Sequence, residues 1–149
     1  MKSEESGRIF GSGFNCAQAV FAPYAAERGF AVDEALKIAS GFGAGMARTQ
    51  ATCGAVTGGL MALGLSLGFA KAEDTEGRAA MVARGKDLLS GFRAEFGSLL
   101  CGELLGCDLN TEEGQRKHAE DGQRESICMK CVTWASAEVE RLIGMQKIT

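Results

Sequence analysis

Thr49–Ala70, TQATCGAVTGGLMALGLSLGFA, runs 22 residues without a charged side chain. A segment of that length could just span a bilayer. Gly54 with Gly58, and Gly64 with Gly68, repeat the small-xxx-small spacing of membrane helix pairs. Against that, no aromatic belt surrounds the segment and the flanking helical stretches carry polar faces. Ala55, Gly59, Ala62 and Ser66 form a small stripe, and Val56, Leu60, Leu63 and Leu67 a large one. The pattern predicts a central Gly/Ala-rich helix, Cys53 to about Phe69, capped by Thr52 and enclosed on all sides by a helical bundle. Each interior glycine costs roughly 1 kcal/mol against alanine, so close packing must compensate.

On either side of this segment, apolar residues recur at three and four, and no clean alternating run marks a strand. A first helix is predicted from after Ser12 to about Arg28, kinked or divided by Pro23. Asp33 should cap a second helix through Ala39. A long helix follows over Thr75–Phe96, with Met81, Leu88, Phe92 and Phe96 on one side. Ser98 should cap a short helix through Leu105, and the polar stretch Gly106–Gln123 reads as loop. The last helix spans about Glu125 to Ile143, aligning Cys128, Val132, Ala135, Val139 and Leu142. The expected fold is an all-α, single-domain bundle of about six helices over residues 1–149.

Composition narrows function. The 149 residues carry a net charge of −3 with no basic block, which argues against nucleic-acid binding. The N-terminus lacks a basic stretch followed by an apolar run, so a cytoplasmic protein is expected. His118 is the single histidine and sits in the polar RKHAED, where it reads as a solvated surface residue. One histidine excludes a multi-histidine metal site. Six cysteines remain, and in a reducing compartment clustered cysteines point to metal or redox chemistry more than to staples.

Cys53 carries the strongest local signal. At the start of a helix, the free N–H groups and the dipole favour a thiolate. Arg48 lies a few residues upstream and could add positive charge, and Gly41, Gly43 and Gly45 free the backbone to turn N–H groups toward an anion. Cys128-Met129-Lys130-Cys131 is a C-x-x-C opening the last helix, with both sulfurs on one face. It fits half a metal site, a redox dithiol or two core cysteines. Cys101 reads as inward-facing and Cys107, at the end of CGELLGC, as exposed. Cys16 shares a helix face with Val20 and Tyr24.

Taken in order, FNCAQAV, TCGAVTGGLMALGL, FGSLLCGELLG and a late cysteine opening a final helix resemble the redox protein family named for its C_GCAxxG_C_C signature. The resemblance covers most of the chain. It implies signature cysteines Cys16, Cys53, Cys101 and Cys128 (Cys131 being the alternative), with Gly54 and Gly58 as the motif glycines. That family is similar to a domain of split-Soret cytochromes. This chain lacks a haem-attachment sequence, so no covalent haem is expected.

The expectation is therefore a redox or electron-transfer protein in which Cys16, Cys53, Cys101 and Cys128, with Cys131, converge on one site. Those cysteines could hold an iron–sulfur cluster, with Gly54, Gly58 and Arg48 beside it. Alternatively they could cycle between dithiol and disulfide with Cys53 attacking. The runner-up is a structural or transport zinc site without redox activity. A redox partner and a homodimer are compatible with the sequence, and membrane insertion is not expected.

Overall fold

The computed structural model describes residues 1–148. Eight α-helices occur among them: α1 (Lys2–Gly11), α2 (Cys16–Glu27), α3 (Val32–Ala39), α4 (Gly54–Leu67), α5 (Thr75–Phe96), α6 (Cys101–Leu105), α7 (Glu112–Glu120) and α8 (Met129–Ile148). A 3-10 turn, Ser40–Phe42, extends α3, and a π-helical turn, Arg124–Cys128, leads directly into α8. Among the described residues there is no strand, only an isolated antiparallel bridge between Thr52 and Leu100. No described helix is long and apolar enough to cross a membrane.

The fold is all-helical as the spacing predicts, with two helices more than expected. α1 went unseen because KSEESGRIFG is mostly polar and has a glycine at its centre. Tertiary contact holds it, as is usual for short helices. Phe10 is fully buried, and Ser6 Oγ donates a 2.9 Å hydrogen bond to Ser136 Oγ of α8 in the interior. α7 falls in the stretch read as loop. It has no apolar stripe, and is fixed by its ends: Thr111 Oγ1 accepts from the Gly114 N–H at 2.9 Å, with Glu112 and Glu113 in the first turn and Lys117 and His118 in the last. Gly114 is obligatory there, since a Cβ would lie 1.7 Å from the Asp108 carbonyl oxygen.

Several helix starts shift. Asn15 caps α2 in place of Ser12, through a reciprocal box with Gln18. α2 then runs through Pro23 without dividing. Ala31 is the N-cap of α3, leaving Asp33 in its first turn. Leu100 is the N-cap of α6, while Ser98 Oγ accepts from the Leu100 N–H and donates to Glu103. α5 matches its expected bounds, with Asp74 as cap and Gly97 (φ +87°) ending it in the left-handed region.

α4 packs against α2, α5 and α8. Gly54, Ala55, Val56, Gly58, Gly59, Ala62 and Leu63 are buried, but Leu60, Met61, Gly64, Leu65, Ser66 and Leu67 are half-exposed. The helix is thus covered over its N-terminal part and opens toward solvent further on, instead of being enclosed all round. The glycine stripe does bring backbones together, as its spacing implies. A Cβ on Gly58 would sit 2.7 Å from the Ala17 carbonyl oxygen, and one on Gly54 2.9 Å from the Ala17 nitrogen. The start of α2, and Cys16 with it, therefore lies directly on the start of α4. Val132, Ala135, Val139 and Leu142 of α8 are fully buried, as the helical spacing predicts.

Candidate thiol site

Cys53 is the N-cap of α4, displacing Thr52 from that role. Thr52 is instead taken up by its bridge to Leu100. Around the bridge, the Cys53 N–H donates to the Leu99 carbonyl at 2.8 Å and the Cys101 N–H to the Ala51 carbonyl at 2.7 Å. This short pairing brings Cys101, the first residue of α6, beside Cys53. Cys16 is the first residue of α2, Cys128 ends the π-helical turn, and Cys131 lies in the first turn of α8. Five thiols thus stand at the N-terminal ends of four helices, where the helix dipole favours negative charge.

All five line one cavity of about 150 Å³, together with Phe10, Ala44, Gly45, Gly54, His118 and Arg124. All six cysteines of the chain are free thiols. The five cannot all ionise, because each thiolate repels the next. Cys53 is held well below the ordinary thiol range, first by the Cys131 thiol, then by the Cys16 thiol, with the Ala55 and Val56 N–H groups adding to this against the cost of burial. Cys128 is also lowered, chiefly by the Cys16 thiol, with the Arg124 charge assisting. Cys16 is raised by donating to Cys128 and Cys53, and Cys131 by donating to Cys53, burial adding in both. Cys101 is pushed up to about 12 by burial and then by the charges of Cys53 and Cys128. Raised and lowered thiols therefore alternate along Cys131, Cys53, Cys16 and Cys128.

The raised Cys101 has a stability consequence. Above about pH 8.5 an unfolded chain loses the Cys101 proton while the folded protein keeps it, so the unfolded state binds fewer protons. Unfolding free energy measured in reductant is therefore expected to fall as pH rises from about 8.5 toward Cys101's raised value. Cys101→Ala should lessen that slope; an unchanged slope would place the proton elsewhere.

Arg48 does not reach the cysteines. Its side chain is exposed and its carbonyl accepts from Asn110 Nδ2. The positive charge at the cavity is Arg124, whose guanidinium stacks 3.8 Å from the centre of the Phe10 ring and donates to the Phe10 and Phe14 carbonyls. Its only sequence cue is its place four residues before Cys128. The glycine-rich loop is also not shaped by glycine alone. Ala44, Met46, Ala47, Arg48 and Gln50 all adopt φ between +50° and +68°, with Gly45 at +70°. Left-handed backbone costs roughly 1–2 kcal/mol per non-glycine residue. Side chains pin it: Gln50 donates to the Cys107 carbonyl and accepts from the Leu109 N–H, each at 2.9 Å. Ala44 and Gly45 from this segment form part of the cavity wall.

Cys107 is half-buried outside the cavity lining, its Sγ donating to Gln123 Oε1 at 3.4 Å. His118, read as a solvated surface residue, instead borders the cavity and is half-buried. The polar sequence around it concealed this, because the helix that carries it has no apolar stripe. Among the described residues, no three or more His, Cys, Asp or Glu side chains are grouped to hold a metal ion as they stand.

A family model described as "Putative redox-active protein (C_GCAxxG_C_C)" matches residues 14–142. The chain belongs to the C_GCAxxG_C_C family. Curated proteins and solved structures gave no match. Within this C_GCAxxG_C_C chain, Gly54 and Gly58 stand where α2 crosses α4, which is what lets Cys16 meet Cys53.

Proposed function

We propose that the protein is a thiol–disulfide redox carrier in which Cys53 attacks and Cys131 resolves. The observation that carries this reading is Cys53 itself: a helix cap held as a thiolate by the thiols of Cys131 and Cys16 inside one cavity. Cys53 S⁻ attacks one sulfur of an external disulfide, forming a mixed disulfide and releasing one thiolate. Cys131 then gives up its proton and attacks the Cys53 sulfur, releasing the second thiolate. Two electrons pass from the dithiol to the external disulfide. Cys16 and Cys128, a raised and a lowered thiol in contact, form a second pair of the same kind. A cavity of about 150 Å³ accepts a group of about benzene's size, which suits the end of a low-molecular-weight disulfide.

The test is intact mass after exposing fully reduced protein to glutathione disulfide. A loss of about 2 Da per disulfide formed, reversed by dithiothreitol, is expected. Elemental analysis of anaerobically prepared protein belongs in the same experiment. Stoichiometric iron with sulfide, or stoichiometric zinc, without any such mass change would replace the disulfide reading by a cluster or a structural metal.

A further inference from the structure

The His118 side chain is fixed by a chain of hydrogen bonds that begins at a carbonyl. The Leu105 carbonyl can only accept, so the amide that meets it in the interior must present its NH₂ group. Gln123, 5% exposed, does this: its Nε2 donates to the Leu105 oxygen at 2.8 Å. Its Oε1 is then obliged to face the other way, where two groups meet it: Cys107 Sγ at 3.4 Å and His118 Nδ1 at 2.8 Å. An amide oxygen can only accept. Nδ1 must therefore carry a proton, and in the neutral ring it is Nε2 that holds the lone pair. The ring borders the cavity that holds Cys16, Cys53, Cys101, Cys128 and Cys131.

We propose that His118, with its tautomer set by Gln123, is the proton acceptor and donor for the thiol chemistry of this cavity. The assignment rests on the thiol–disulfide reading above and supplies what that reading lacks. Cys131 must lose a proton before it can close the disulfide, and Cys53, already a thiolate, cannot be relied on once it is bonded to the leaving group. His118 Nε2 takes that proton within the cavity as the second external thiolate leaves. It returns the proton to Cys131 when an external dithiol reduces the Cys53–Cys131 bond. Charge balances, since the imidazolium formed offsets the departing thiolate. Gln123 is a positioning residue, acting only through the ring.

The experiment follows oxidation of the whole reduced protein by glutathione disulfide, by rapid quench and mass analysis, in wild type and His118→Asn. Asparagine retains an N–H that Gln123 Oε1 can accept, and lacks the second ring nitrogen. Formation of the Cys53 mixed disulfide is expected to proceed within about twofold of wild type. Closure to the internal disulfide is expected to slow about 10²-fold, the lower range for general acid–base groups, and to recover partly with added imidazole. Closure in His118→Asn at the wild-type rate overturns the His118 assignment alone. So does equal slowing of both steps, which is the mark of general damage. A wild-type protein that forms no internal disulfide overturns the thiol–disulfide reading and the assignment with it.

Discussion

Cys53→Ser is expected to reduce oxidation by glutathione disulfide to background, with no mixed disulfide on any cavity cysteine at early times. A serine at the cap is able to accept from the α4 N–H groups, so the helix start should survive the change. What is lost is the only thiolate that two thiols and two backbone N–H groups jointly stabilise. The neighbours cannot replace it. Cys16 stays raised by donating to Cys128, Cys131 loses its donation to Cys53 but keeps the burial that raises it, and Cys101 is raised by burial. Cys128 is the one other lowered thiol, and oxidation that persists in Cys53→Ser through Cys128 would reassign the nucleophile. Cys131→Ser should behave differently: the mixed disulfide on Cys53 forms and then accumulates. Cys107→Ser should leave both steps near wild type, since Cys107 lies outside the cavity lining.

Phe92→Ala is expected to cost about 3–5 kcal/mol of unfolding free energy, the range for large-to-small changes at filled sites. Phe92 is fully buried and stands between α5 and α8, with its ring 4.7 Å from that of Phe96 and 5.8 Å from that of Trp134, the latter edge-on. Aromatic pairs of this kind add to the loss from area alone. For a chain of this length the melting temperature should drop by roughly 6–20 °C. Phe92 belongs to the same buried cluster as Cys53, Cys131 and Val132, so the loosened variant should also expose Cys131 to alkylating reagents. Phe14→Ala is the control: Phe14 is 37% exposed and its removal should change stability by less than about 0.5 kcal/mol. Urea titration of both variants decides the matter, and equal, small effects would mean that α5 is not seated on α8 through this aromatic contact.

What the sequence disclosed was whatever repeats with helical spacing. The buried side of α8 and the extent of α5 could be read from periodicity, and the cysteines from their order. α1 and α7 escaped because neither has an apolar stripe. One is held by a buried serine pair and a single phenylalanine, the other by its cap and by Gly114 against Asp108. The cap of α4 moved by one residue because Thr52 pairs with Leu100, a contact 48 positions away that local preference does not contain. The same blindness affected the site. Arg48 looked close in sequence but points outward, while Arg124 reaches the cavity from just before α8. His118 looked solvated because its neighbours in sequence are, yet the Gln123 amide ties it to the cavity wall.

Peptide mapping of the oxidised protein, digested after blocking free thiols, bears on the pairing itself. A peptide containing Cys53 joined to one containing Cys131 is expected, with a Cys16–Cys128 link appearing at higher oxidant. Cys53 recovered as a free, blocked thiol while other cysteines are crosslinked would contradict the pairing, and with it the role given to Cys53.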